Sequence, residues 1–240
     1  MTNPVFNQKA IEKVNVLESE PMTVNGAINK TFILFALLVA SSLIVWNMFF
    51  QGFTDKVAML GIVGLVTSII SFIAFMITRN PIAALAYAVS EGLLIGGISA
   101  YVEKIYPGIA IQAVGLTMMC LFSMLFLYRI GAIKCTEKFR SVIFISTLSI
   151  GGIYLINFIG HFFGLQIPQI FTSSLIGIGF SLVVVVIASL NLIIDFDFIE
   201  RGAQQMLSKT FEWYGAFGLM VTLVWLYIEI LNLLTKLRDR

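Results

Sequence analysis

Four acidic residues of this sequence lie inside, or at the end of, long apolar runs. Glu91 and Glu229 are well inside their runs, and Asp195 and Asp197 stand at the end of another. A charged side chain at the centre of a bilayer costs about 2.5–3.5 kcal/mol on insertion scales. The apolar runs contain no lysine or arginine. The least costly state of such a carboxyl is therefore protonated, sharing a proton or bound to a cation, which indicates proton or cation chemistry.

Each of these acids also has a structural interpretation. Glu91 would be explained equally well by a hydrogen bond to a neighbouring helix, and Glu229, for which a functional role is favoured, could also have a purely structural one. Asp195 has a functional role only if its helix continues past Ile194, because otherwise it lies at the membrane interface. Asp197 is two residues farther on, on a different face of a helix, and is expected at the interface.

Other residue patterns argue against an enzyme and against a resident cofactor. His161 is the only histidine, and Cys120 and Cys135 are far apart, so the sequence lacks the ligands of a zinc site. It contains no G-x-S-x-G nucleophile motif and no Gly-rich phosphate loop. A retinal-type protein needs a lysine midway along its last helix, whereas Lys236 follows the last run.

The composition is that of a membrane protein. Of the 240 residues, 59% are hydrophobic and 12% are charged, whereas soluble domains have about 45–50% and about 25%. The net charge of +2, without a basic block, argues against a nucleic-acid partner. The lipid bilayer is the partner that the composition requires.

Seven apolar runs are each close to the roughly 20 residues that cross a hydrocarbon core as a helix. They are Thr31–Phe50, Val57–Ile77, Ile82–Val102, Ile109–Leu127, Val142–Phe163, Ile170–Ile194 and Trp213–Leu234. We predict an all-α membrane domain over residues 31–235, a polar N-terminal tail over 1–30 and a short C-terminal tail over 236–240.

The basic residues favour a cytoplasmic N-terminus and a C-terminus on the other side. With seven spans, ten of the 15 lysines and arginines lie on the same side of the membrane as the N-terminus. They are Lys9, Lys13, Lys30, Arg79, Arg129, Lys134, Lys138, Arg140, Arg201 and Lys209. In the third run, Gly92 and Gly96 form a GxxxG step that lets helices approach closely. We therefore expect the third helix to lie deep in the bundle.

Three stretches resemble the transmembrane Bax inhibitor motif family. Residues 189–200, Ser-Leu-Asn-Leu-Ile-Ile-Asp-Phe-Asp-Phe-Ile-Glu, resemble the aspartate motif of its sixth helix. Residues 225–234, Trp-Leu-Tyr-Ile-Glu-Ile-Leu-Asn-Leu-Leu, resemble its last helix, and Glu91-Gly92 resembles an early Glu-Gly pair. The likeness covers nearly the whole chain after residue 25 and is greatest to a bacterial branch, which implies the bacterial cytoplasmic membrane.

The resemblance implies six helices around a central C-terminal helix and a pH-sensitive calcium leak. It assigns proton sensing and gating to Asp195 and Glu229, which would share a proton and could bind Ca²⁺, the transported ion. Glu91 and Asp197 would line the ion path. The sequence departs from the family in two ways. The acid of the last helix is Glu rather than the Asp of better-known members, and the connection between Asp195 and Glu229, through residues 201–211, is longer than in those members. Lys104 is the basic residue near the Glu-Gly helix, and it receives no role.

Two other functions remain open from the sequence. The chain could be a membrane regulator that transports nothing and binds partner proteins such as membrane proteases. It could also be a proton-coupled transporter of a small solute. The sequence does not decide the oligomeric state.

Overall fold

The computed structural model describes residues 20–164 and 168–240, and every helix or strand that it assigns within these residues is a helix. Seven of the helices are long and apolar enough to cross a membrane, which confirms the predicted number of spans. The chain is therefore a multi-pass membrane protein whose exposed apolar side chains contact lipid. The helices are α1 Val24–Phe50, α2 Thr54–Thr78, α3 Pro81–Ile105, α4 Ile109–Arg129, α5 Glu137–Phe162, α6 Pro168–Phe171, α7 Leu175–Gln204 and α8 Thr210–Arg238.

Short connections make successive spanning helices antiparallel, so the bundle has two ends. We call the end that bears the start of α1 the N-face, and the end that bears the last turn of α8 the C-face. Local signals set the ends of the helices. Arg79 takes a left-handed conformation (φ 56°) after α2, and the Asn80 side chain then caps α3, which starts at Pro81.

Helix α3 lies deep in the bundle, as its small residues predict. Half of its apolar core is buried, and it packs against both α1 and α2. A side chain at Gly92 would meet Ser41 of α1, and a Cβ at Gly96 would lie 2.5 Å from the carbonyl oxygen of Ser42. Glycine is therefore required for the close approach of α1 and α3.

Helix α8 is buried as deeply as α3 and packs against α7, α1, α4 and α3. Its Phe217 lies among the rings of Phe75, Tyr87 and Phe72, with centroid separations of 4.3, 5.0 and 5.7 Å. This aromatic cluster fixes α8 against the α2–α3 pair. The arrangement of six helices around a central one stays a prediction.

The structure differs from the predicted boundaries at both ends of the chain. Helix α1 begins at Val24 rather than Thr31, and the predicted tail is described only from residue 20. Pro21 there forms a β-bridge with Ser208, and Met22 is buried. At the other end α8 continues to Arg238, so most of the predicted C-terminal tail is helical.

The sixth apolar run is two helices. A bend over residues 172–174 separates α6 from α7, because the Ser174 side chain caps α7 by accepting a hydrogen bond from the Gly177 N–H. Helix α7 then continues to Gln204, well past Ile194. Asp195 and Asp197 are therefore helical residues rather than the end of a span.

Candidate functional site

Asp195 lies in the second half of α7, nine residues before its end at Gln204, and faces α8. Its Oδ1 atom is 3.5 Å from the position that a Cβ at Gly218 would take, and the Thr222 hydroxyl hydrogen-bonds the carboxyl. The other oxygen, Oδ2, is buried and has no hydrogen-bond partner among the residues that the structure describes. A buried polar atom without a partner is rare and points to a bound proton, water or ion.

Glu229 lies on α8, nearer the C-face, and is only 3% exposed. The Tyr154 hydroxyl is 2.8 and 2.9 Å from its two carboxyl oxygens, and the Trp225 indole N–H donates to Oε1 at 3.1 Å. Phe171 and Phe180 pack against the ring of Tyr154. Glu229 thus has a closed set of hydrogen-bond donors, unlike Asp195.

The structure does not bring Asp195 and Glu229 together, so the predicted proton shared between them is wrong for this conformation. Asp195 contacts α8 at Gly218 and Thr222. Glu229 is seven residues beyond Thr222, which corresponds to about 10 Å along a helix. The register follows from where α7 ends and α8 begins, at Gln204 and Thr210.

The binding of Ca²⁺ by Asp195 or Glu229 stays a prediction. In the described part of the chain, no group of three or more His, Cys, Asp or Glu side chains is placed to hold a metal ion.

Glu91 lies on α3 and is 8% exposed. The hydroxyls of Ser68 on α2 and Tyr87 on α3 hydrogen-bond its carboxyl. A cavity of about 280 Å³ between α2 and α3 reaches Glu91. Glu91 is thus separate from Asp195 and Glu229, and its place on an ion path stays a prediction.

Asp197 is buried near the N-face and is paired with two arginines, and its predicted place at the membrane interface stays a prediction. Its carboxylate forms ion pairs with Arg140 of α5 and with Arg201, one helical turn along α7. The Arg201 guanidinium also donates to the Cys135 carbonyl at 3.2 Å. Burial raises the pKa of the Cys135 thiol; Asp197 adds to this effect, and the Arg140 N–H opposes it. The two guanidiniums pair Asp197 with α5 and with the last turns of α7, and its place on an ion path stays a prediction.

The amino-acid sequence matches the family described as Bax inhibitor 1 like over residues 3–239. The chain belongs to this Bax inhibitor 1 like family. The match includes every helix and each of the four acids, and it confirms the family that the three stretches indicate. No curated protein matches the chain. Membership of the bacterial branch stays a prediction.

Sequence reasoning missed Lys236 of this Bax inhibitor 1 like protein, which is buried rather than part of a tail. Its ammonium donates to the carbonyl oxygens of Ile170 and Gly177 at 3.0 and 3.3 Å, and to the Ser181 hydroxyl at 2.8 Å. It joins α6 and α7 to α8 at the C-face. Lys236 follows Glu229 by seven residues, a spacing that places both on one face of a helix.

Glu212 is the other residue that the sequence did not reveal. Its carboxylate is 2% exposed at the start of α8 and forms an ion pair with Lys30 of α1. It also accepts hydrogen bonds from the Thr23 N–H and hydroxyl at 2.8 and 3.0 Å. Lys104, near the C-face, lies over the Phe49 ring, 5.8 Å from its centroid, and the structure gives it no contact with the four acids.

Proposed function

We propose that this Bax inhibitor 1 like protein is a pH-sensitive, calcium-permeable cation leak without enzymatic activity, gated by carboxyl groups of its last two helices. The observation that carries the proposal is the Oδ2 atom of Asp195, which is buried and unpartnered among the described residues. Leaving such an oxygen unpaired costs free energy unless a proton, water or cation satisfies it. The site is therefore responsive to protons and cations.

The two gating carboxyls act in series rather than as a pair. Asp195 is nine residues from the N-face end of α7, and Glu229 is nine residues from the C-face end of α8. At 1.5 Å per residue each lies about 14 Å from its own end of the bundle. A cation that crosses would meet Asp195 and Glu229 in turn, with oxygen ligands of the type that Ca²⁺ prefers.

Protonation would act at each carboxyl separately. A neutral carboxyl no longer attracts a cation and can donate a hydrogen bond, whereas the anion attracts a cation and can only accept. At Asp195 this change alters the contact between α7 and Gly218 of α8, where a carboxyl oxygen takes the place of a side chain. Local titration thereby biases the packing of two spanning helices.

Flux into liposomes tests the proposal. The full chain is reconstituted into vesicles that contain a calcium-sensitive dye, and Ca²⁺ entry is recorded at two pH values against protein-free vesicles. We expect entry that depends on protein and on pH. Vesicles that stay closed to Ca²⁺ at both pH values contradict the proposal and favour a non-transporting regulator. Solute uptake driven by a proton gradient without Ca²⁺ entry favours a proton-coupled transporter.

We also propose that the protein lies in the bacterial cytoplasmic membrane with its N-terminus in the cytoplasm, which the distribution of lysine and arginine supports. A reporter fused after Arg240 should then be extracytoplasmic, and one inserted between Arg129 and Arg140 should be cytoplasmic. A cytoplasmic C-terminal reporter contradicts this orientation.

A further inference from the structure

The groove between α2 and α3 opens toward the lipid. Its α2 wall contains the buried Ser68 and the apolar Leu65, Ile69 and Phe72, which are 46, 53 and 38% exposed. These residues belong to a membrane-spanning helix, so the exposed surface faces hydrocarbon. The cavity of about 280 Å³ reaches Glu91 and its partner Tyr87 at the base of the groove. A carboxyl is thus accessible from the side, through the bilayer.

Within the part of the chain that the structure describes, no lysine or arginine forms an ion pair with the Glu91 carboxyl. The helices that pack against α3 are α1, α2, α4 and α8. Besides Glu91, the charged residues of these five helices, and those next to their ends, are Lys30 of α1, Asp55, Lys56 and Arg79 at the ends of α2, Glu103 and Lys104 of α3, Arg129 of α4, and Lys209, Glu212, Glu229, Lys236, Arg238 and Asp239 at the ends of or within α8. Along α1, Lys30 is eight residues from Leu38, whose carbonyl oxygen lies beside Gly92, and eight residues correspond to about 12 Å. The Lys30 ammonium pairs with Glu212 instead. A negative charge in this low-dielectric site would attract a cation strongly.

Aromatic rings stand beside the carboxyl. Phe72 and Tyr87 lie on opposite walls of the groove, with ring centroids 6.0 Å apart. The faces of such rings attract ammonium groups. A carboxyl, two rings and an apolar rim together favour a ligand that carries a positive charge on a hydrocarbon body.

We propose that this groove binds a lipophilic cation, an ammonium headgroup with a hydrocarbon tail, which enters sideways from the bilayer. The cavity is slightly smaller than the roughly 300 Å³ at which drug-sized pockets begin. It therefore takes the headgroup, against Glu91 and the rings of Phe72 and Tyr87, while the tail remains in the lipid. The proposal is independent of calcium flux.

Equilibrium binding to the purified full chain in a neutral detergent tests it. The probe is radiolabelled tetradecyltrimethylammonium, and the competitors of equal tail length are tetradecyl sulfate and tetradecylphosphocholine. We expect saturable binding that neither competitor displaces at equal concentration. Glu91→Gln, which removes the charge at nearly constant volume, should weaken binding by about tenfold or more because a charge-assisted contact is lost.

Two further variants keep the test valid if Glu91→Gln fails to fold. Ile69→Trp narrows the lipid-facing mouth without changing any charge and should also weaken binding. Ile62→Trp places the same bulk two turns away on the lipid-facing side of α2, where the side chain is 66% exposed, and should leave binding unchanged. Equal affinity of the wild type and Glu91→Gln overturns the proposal. Displacement by tetradecyl sulfate, the result of simple partitioning, overturns it as well.

Discussion

Glu212 ties the first described residues of the chain to the start of α8, and replacing it with glutamine should destabilise the whole bundle. The carboxylate is 2% exposed, and its partner Lys30 has a side chain that is 14% exposed. Two hydrogen bonds from Thr23 reach the same carboxylate. Glu212→Gln keeps the size of the side chain but leaves the Lys30 ammonium beside an uncharged amide.

The expected loss follows from the burial of this pair. Removing one partner of a buried ion pair costs about 3–5 kcal/mol, because the other charge is left without compensation. The amide carbonyl of glutamine can still accept one bond from Thr23, and Lys30 keeps some contact with solvent. We therefore expect Glu212→Gln to lower the free energy of unfolding by about 3 kcal/mol, at the lower end of that range.

Unfolding in a neutral detergent, titrated with dodecyl sulfate, measures this change. Lys30→Met in the Glu212→Gln background should recover part of the loss, with a coupling of about 1–3 kcal/mol in a double-mutant cycle. Lys209→Met is the matched control. It breaks the Lys209–Glu20 pair, whose side chains are 55% and 76% exposed, and such exposed pairs contribute less than about 1 kcal/mol. A Glu212→Gln protein as stable as the control, or a cycle without coupling, would refute this reasoning.

Three other substitutions or probes test separate parts of the structure. Gly96→Val should destabilise the bundle by about 1–3 kcal/mol in the same titration. Gly61→Ala should not destabilise it, because an added Cβ there meets no atom within 4 Å. Equal losses of stability in the two variants would contradict the α1–α3 contact. Burial raises the pKa of the Cys135 thiol, so in a variant without the other cysteine its alkylation rate should still be rising at a pH where an exposed thiol has reached its plateau. A plateau at the same pH would contradict this. Tyr154→Phe removes a hydrogen-bond donor to Glu229 and should shift the pH dependence of Ca²⁺ flux; an unchanged profile would show that Glu229 does not gate.

The spans could be predicted from the sequence because hydropathy reports burial in lipid directly. Their ends could not, because polar residues that pair within the bundle look like loop residues. Asp197 and Arg201 pair across one turn of α7, and Lys236 is satisfied by oxygen atoms of α6 and α7. Hydropathy assigns all three to the water phase.

The separation between Asp195 and Glu229 could not be predicted from the sequence, for another reason. Which residue of α8 faces Asp195 depends on where α7 ends and α8 begins, and shifting either end by a few residues changes the register. Gly218 has no side chain and so leaves room for Asp195. A glycine at this position of the last helix was the one sequence feature that could have indicated the contact. The burial of Glu91 in the bundle, by contrast, could be predicted, because the small residues of α3 indicate a helix that packs closely against its neighbours.

Calcium flux into vesicles that contain the Asp195→Asn variant tests most directly the central claim, that a buried carboxyl makes the cation leak pH-sensitive. Asparagine nearly matches aspartate in size and cannot titrate, so the substitution removes the proton-sensitive group at the contact with Gly218. Asp55→Asn, at an exposed acid in the first turn of α2, is the matched control. We predict that the difference in flux between two pH values becomes markedly smaller in Asp195→Asn, where only Glu229 still titrates, and that it is unchanged in Asp55→Asn. A wild-type pH profile in the Asp195→Asn vesicles would contradict the account.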